Sequence, residues 1–250
     1  MRYLKVSSDY YGVDLTLLKY NKEWTGHRLK DALLKKYLEK LNGNEIVMCT
    51  DAYDTLFLGD TDTIKSRFLK FNKPILFSAE RNCWPEPALS VYYKKNGFFR
   101  YLNSGAFIGE SKTILRLMNR YKEPPAASFN AIRNLKIEGL HVNKYYNWSN
   151  QYYWSLIYLK HRDLIALDHN HNIFYTLTTG LDRLRKYYGD FLENGKNAKI
   201  YKSEVKRIKT ELVRINTLCS KHRPLHLHFN SPIVQSVFQN EDLSDFFEWQ

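Results

Sequence analysis

Asp51 and Asp54 stand three residues apart in Cys49-Thr-Asp-Ala-Tyr-Asp54, at the end of the apolar run Glu45-Ile-Val-Met-Cys49. Two carboxylates held at that spacing in a turn can present oxygens to one hard divalent cation, Mg²⁺ or Mn²⁺. A cation there could bridge two phosphates and neutralise charge on a departing diphosphate. The competing use is local, since turn aspartates commonly accept backbone N–H groups. The segment His226-Leu-His-Phe-Asn230 supplies candidates for a third ligand. Period-2 alternation puts His226 and His228 on one face, and imidazole is a common partner of carboxylates at such ions. Two buried histidines bonded to backbone are the plainer alternative.

A second chemistry-bearing stretch is Phe77-Ser-Ala-Glu-Arg-Asn-Cys-Trp-Pro-Glu86. It sets the carboxylate of Glu80 near Trp84, which precedes a proline that fixes the chain direction. Aromatic faces stack on sugars or bases and carboxylates bind hydroxyls, whereas a core Trp would do neither. Arg28 and Lys30 open a basic helix, where cations and free N–H groups suit a phosphate. No Gly-rich phosphate loop, Gly-x-Ser-x-Gly, His-Glu-x-x-His or Cys-x-x-Cys occurs, which leaves P-loop, serine hydrolase, zincin and thiol-redox chemistry without support.

These residues need elements to position them. The run ending at Cys49, a second run Pro74-Ile-Leu-Phe-Ser78, a third Ala106-Phe-Ile-Gly109 and a fourth Leu164-Ile-Ala-Leu167 read as short buried strands. Leu225 to Phe229 alternates as a strand does. Tyr3 to Ser8 reads as extended, with a helix from Val13. Leucines at three- and four-residue spacing predict a helix from about Leu29 to Leu41, and Lys112–Tyr121 and Gln151–Lys160 read as two more. Alternation of strands and helices implies one α/β domain over residues 1–250 with a largely parallel sheet. In such sheets ligands sit beyond the carboxyl ends of strands, where Asp51, Asp54, Glu80 and His228 fall.

Composition narrows the class. Of 250 residues, 44% are apolar, and 19 Tyr, 14 Phe and 5 Trp exclude a disordered chain. The net charge of +12 suggests a polyanionic or phosphorylated partner. Twelve Lys/Arg against four Asp/Glu fall between Arg183 and Arg223, a net +8. A nucleic-acid partner is disfavoured because no recognised motif accompanies the charge, and a solvated basic helix accounts for it. Cys49, Cys83 and Cys219 are too few and scattered for a disulfide framework. No apolar stretch reaches a membrane span and no signal peptide is visible.

Thr50-Asp-Ala-Tyr-Asp54, Leu76-Phe-Ser-Ala-Glu80 with Cys83-Trp-Pro-Glu86, and Leu102-Asn-Ser-Gly-Ala-Phe-Ile-Gly109 occur in that order. Together they resemble the glycosyltransferase domain of the multifunctional procollagen lysyl hydroxylases, and more distantly the procollagen galactosyltransferases. Weaker matches at Glu23-Trp-Thr-Gly26, Leu167-Asp-His169 near Ile173-Phe174, and His228-Phe-Asn-Ser-Pro232 extend the likeness over most of the chain. The resemblance implies a GT-A fold, a UDP-sugar donor and Mn²⁺ held by Asp51, Asp54 and His228. It also implies that Ser7, at a first strand end, Trp24 and Tyr53 line a nucleoside pocket and that Lys30 faces the phosphates. Glu80, Trp84, Asn103 and Gln151 would surround the transferred sugar with Asn230 nearby, while His226 is a structural neighbour. The activity implied is glucose transfer from UDP-glucose to galactosyl-hydroxylysine of collagen-like chains.

The sequence departs from the family in three places. An acidic run before the position of Gln151 is replaced by Tyr146-Asn-Trp-Ser-Asn150, and a diphosphate-binding Gly and Lys by Ser231 and Val234. The stretch Glu123–Tyr145 has no counterpart, and no hydroxylase portion or iron-binding module follows. Galactose transfer from UDP-galactose to hydroxylysine, and a catalytically weak nucleotide-sugar or collagen binder, are the alternatives. Homo-oligomerisation stays open. The compartment also stays open, cytoplasmic by the sequence and endoplasmic reticulum by the resemblance.

Overall fold

The computed structural model describes residues 1–21, 23–95, 97–121 and 148–249. Expectations placed on Glu123–Tyr145, Tyr146 and Asn147 lie outside the described residues. Two mixed sheets form the frame. One has the order β1 (Ile46–Thr50), β4 (Tyr101–Glu110), β3 (Ile75–Glu80), β5 (Ile165–Asp168). The other has the order β2 (Thr55–Phe57), β7 (His226–Phe229), β6 (Phe174–Leu177). The α/β class holds, but the largely parallel sheet does not: β1 and β3 both run antiparallel to β4, and only β3–β5 and β6–β7 are parallel. Among the described residues, the link from β3 to β4 holds only a short 3-10 turn, Pro87–Tyr92. Without a crossover helix the strand returns antiparallel.

Two local expectations are also corrected. Residues Arg2–Tyr11 form helix α1 instead of an extended segment. Leu4, Ser7 and Ser8 are its buried face, a helical spacing that a short period-2 reading concealed. Gly12 closes it in the left-handed conformation at φ 62°, returning its N–H to the helix end. No helix starts at Val13; residues 13–20 are irregular. β1 is half-exposed along its length because it is an edge strand, paired to β4 alone. In the same sheet β3 and the first nine residues of β4 are buried on both faces.

Helices cover the sheets where their apolar faces require it. α2 (Arg28–Leu38), α4 (Ser111–Arg120) and α5 (Asn150–Lys160) share one core with β3 and β4. Within it Phe77 stacks on Phe107 at 4.5 Å and packs against Trp154 at 5.2 Å. α3 (Thr61–Leu69) and α1 pack on a second apolar cluster, built around Leu76 and Ile108. α7 (Lys199–Thr217) and α8 (Pro232–Asn240) close a third over β6 and β7, with α6 (Leu181–Asn194) contributing part-buried Leu184, Tyr187 and Phe191. The basic segment is therefore two amphipathic helices docked by their apolar sides. The sheets meet where Ser78 Oγ and Thr176 Oγ1 lie 2.7 Å apart. The three cysteines are free thiols. Among the described residues no helix is long and apolar enough to cross a membrane.

Phe77 is wholly buried among rings, so Phe77→Ala should cost about 3–5 kcal/mol in urea unfolding. Val213→Ala, at a half-exposed helical position, should stay within about 0.5 kcal/mol.

Candidate active site

The Asp51–Asp54 turn joins β1 of one sheet to β2 of the other, and backbone from both sheets holds it. Asp51 N–H donates to Gly105 O at 2.8 Å, and Phe229 N–H donates to Asp54 O at 2.8 Å. Thr55 Oγ1 donates to Asp51 O, and Thr50 Oγ1 lies 2.8 Å from His226 Nε2. His226 is thereby part of the frame. Burial first, and the neighbouring His228 second, push it down to about 3, so its ring is neutral.

His228 faces the turn from β7. Its Nε2 lies 3.4 Å from Asp54 Oδ2 and 3.9 Å from Asp51 Oδ2, and one ligand atom from each of the three residues fits within 4.8 Å. That nitrogen is buried without a hydrogen-bond partner, while Nδ1 lies 3.0 Å from Asn103 Oδ1. An orphaned imidazole nitrogen aimed at two carboxylates is what a divalent-cation site needs. Burial would lower the pKa of His228, but the charges of Asp54 and Asp51 outweigh it and hold the ring above its ordinary value. Burial would raise Asp54, yet His228, the Gln235 amide and Lys30 pull it below the usual carboxylate range. Lys30 Nζ is ion-paired with Asp51 Oδ1.

One amide organises the far side. Asn103 Oδ1 accepts from Gly105 N–H at 2.9 Å, so Nδ2 must face Glu80 Oε1, 3.0 Å away. Gln151, in the first turn of α5, donates from Nε2 to Glu80 Oε1 at 2.7 Å and to Trp84 O at 3.2 Å. The β3–β4 register shifts at this point, from Phe77 opposite Phe107 to Ser78 opposite Asn103. The resulting bulge turns Asn103 and Gly105 toward the triad. Gly105 is required by contact: a Cβ there would lie 2.2 Å from His228 Cε1.

Asp51, Asp54, His228, Asn103, Glu80, Gln151 and Lys30 thus gather at one end of the two sheets. Asn230 Nδ2 reaches Glu80 Oε1 at 3.5 Å. Trp84 is partly exposed beside Trp148, with ring centroids 5.4 Å apart. Trp24 and Tyr53 expose 52% and 70% of their surface, leaving both rings open to a ligand. Ser7 stands in α1, not at a strand end. It is fully buried, donating to Leu4 O at 3.1 Å and accepting from Phe57 N–H at 3.0 Å, and so fastens α1 to β2. Arg28 is likewise committed, its Nη1 3.0 Å from buried Asp31. Gln235 was not legible in the sequence. It donates to Asp54 Oδ2 at 2.6 Å, and its only signal is a place one turn into the helix that follows Asn230.

The family model described as PLOD GT domain matches residues 1–126, half of the chain. The chain belongs to that family. The human multifunctional procollagen lysine hydroxylase and glycosyltransferase LH3 is 26% identical over 247 residues, 93% of this chain and 28% of that protein. A Drosophila melanogaster procollagen-lysine,2-oxoglutarate 5-dioxygenase is 32% identical over 128 residues, 47% of this chain and 18% of that protein. The chain therefore spans under a third of the length of these curated relatives. Among solved structures, mouse xyloside xylosyltransferase 1 aligns over 79% of this chain and 63% of its own, with a TM-score of 0.45 and 13% identity.

Glu80 is fully buried and pushed up to about 6, chiefly by burial, against the opposing effect of the Asn103 and Gln151 amides. The folded protein holds this proton more tightly than the unfolded chain. Its contribution is therefore fully favourable below the ordinary carboxylate pKa and is lost as pH rises through about 6. Relative to wild type, Glu80→Gln should gain about 2 kcal/mol at pH 8 over its effect at pH 4. Urea unfolding at both pH values checks this, and equal differences would count against a buried ionised carboxylate. Gly105→Ala must displace the His228 ring, so MnCl₂ should raise the melting temperature of the wild type but not of this variant. Asn103→Ala, which frees Nδ1, should weaken Mn²⁺ binding about 10–100-fold in the same assay.

Proposed function

We propose that the chain, read as one GT-A glycosyltransferase domain over residues 1–250, is a Mn²⁺-dependent retaining glucosyltransferase. It moves glucose from UDP-glucose to galactosyl-hydroxylysine of collagen-like chains. The observation that carries this reading is the orphaned Nε2 of His228 facing Asp51 and Asp54, across Asn103 from the amide–carboxylate group of Glu80 and Gln151. On this reading a cation held by the triad would lie next to a buried polar surface suited to sugar hydroxyls.

Asp51, Asp54 and His228 would hold the cation, which when bound neutralises charge on a departing diphosphate. Lys30, beside Asp51, adds a second positive charge for the same phosphates. Trp24 and Tyr53 offer aromatic faces to the nucleoside. Glu80 and Asn230 accept from and donate to sugar hydroxyls, and Trp84 packs on the sugar. Gln151 is an amide, not a strong nucleophile, which favours front-face displacement over a covalent glycosyl intermediate. Its carbonyl stabilises positive charge growing at the anomeric carbon. The acceptor hydroxyl attacks from the side the diphosphate leaves, passing its proton to the leaving phosphate.

UDP release tests the reading, measured with UDP-glucose and UDP-galactose, with Mn²⁺ or chelator, and with no acceptor, a hydroxylysine peptide or a galactosyl-hydroxylysine peptide. Acceptor-stimulated, Mn²⁺-dependent release from UDP-glucose is expected. Release from UDP-galactose onto hydroxylysine would replace the donor and acceptor, and UDP binding with no release would leave a binding protein. Asp54→Ala should lower turnover at least about 100-fold, and full activity would remove the metal assignment. Trp84→Ala should impair transfer more than UDP binding.

A further inference from the structure

A cleft of about 800 Å³ opens on the Glu80 side of the site, between the segments following β3 and β6 and the helices α6 and α7. Five arginines line it against two acids, Asp182 and Glu204. Glu204 is fully buried and already matched: Arg183 Nη1 lies 2.9 Å from one oxygen and Arg207 Nη2 2.6 Å from the other. That pairing locks α6 to α7 and leaves those two arginines largely neutralised.

The other three differ. Arg81, Arg100 and Arg185 have no carboxylate partner among the described residues. Two of them are tied to the catalytic end of the sheet: Arg81 follows Glu80 in the chain, and Arg100 N–H donates to Glu80 O at 3.1 Å. Phe98, 80% exposed, adds an apolar surface to the same wall. The floor is fixed by Asn82, which donates to Thr178 Oγ1 and Thr179 O and accepts from Leu181 N–H. Arg100 lies over the Tyr101 ring, 5.0 Å from its centroid, and guanidinium forks with no carboxylate of their own match an incoming carboxylate, which they can hold with two parallel hydrogen bonds. The cleft mixes its guanidinium groups with the acids Asp182 and Glu204 and the exposed ring of Phe98, a lining that suits a few residues of peptide better than the uniform charge of a nucleic-acid backbone.

We infer that this arginine cleft binds acidic residues of the acceptor peptide, on one side of the modified side chain. The inference rests on the glycosyltransferase reading for its geometry. On that reading the flanking residues of a peptide whose modified side chain enters the site at Glu80 would fall on the neighbouring cleft, which Arg81 and Arg100 join to Glu80 through the chain and through the Arg100 N–H to Glu80 O bond. Carboxylates there lower KM through binding and leave the chemistry at the sugar unchanged.

The test is direct binding, read by fluorescence anisotropy at low and moderate salt. The probes are a labelled collagen-like peptide with Glu residues flanking a central Lys, its Gln counterpart, and a sulfated oligosaccharide as competitor. The Glu peptide should bind about tenfold more tightly than the Gln peptide. The combined Arg81→Ala, Arg100→Ala and Arg185→Ala variant should lose that preference. A charge-matched control, Lys196→Ala, Lys199→Ala and Lys202→Ala, changes exposed side chains that do not line the cleft and should keep it. Equal binding of the two peptides, equal loss in the lysine control, or stronger binding of the oligosaccharide would overturn the inference. UDP binding measured on the same preparations separates the two readings. Its absence from the wild type would remove the glycosyltransferase assignment, while the peptide comparison would still decide what the cleft holds.

Discussion

The carboxamide of Asn103 decides which way the rest of the site points. Its oxygen is claimed by the Gly105 N–H and the His228 Nδ1 side, so its nitrogen is left for Glu80. With that single orientation, His228 turns Nε2 to the two aspartates, and Glu80 receives donors from Asn103 and Gln151 together. Reversing the amide would set oxygen against carboxylate and nitrogen against a backbone donor, and a buried network tolerates neither. The bulge in β4 and the bare Cα of Gly105 are what allow Asn103 to reach this position.

Positive groups already face the carboxylates of the triad. Lys30 sits on Asp51, and His228 is held toward its charged form by both carboxylates. Lys30 and a ring biased toward its charged form together offset the repulsion between Asp51 and Asp54. A divalent ion entering the triad would take over the role of those positive groups. Binding of such an ion would then compete with Lys30 for Asp51 and with a proton for the His228 imidazole.

Much of this was legible in the sequence because it depends on short-range pattern. Apolar runs ending in Asp51, Glu80 and the residues around His228 marked the strand ends, and the leucine spacing marked α2 to within a few residues. What the pattern missed was long-range. Nothing in Ile46–Thr50 distinguishes an edge strand from a central one, since the difference lies in how many neighbours pair with it. The antiparallel return into β4 depends on a connection whose length says little about direction. Tyr3–Ser8 fits two periods over so few residues that Gly12 was the better guide. Gln235 bears no motif at all: an amide becomes informative only once the fold sets it against Asp54.

The three prospective ligands do not belong to one sheet. Asp51 hangs from the end of β1, Asp54 leads into β2, and His228 lies on β7, while the Asn103 that steadies it comes from β4. Elsewhere the two sheets touch through such contacts as the Ser78–Thr176 pair. An ion at this junction would act as a rivet across the seam. The halves of the frame would then open to solvent together when it is present and more independently when it is not, so the cooperativity of unfolding becomes a property of the loaded protein.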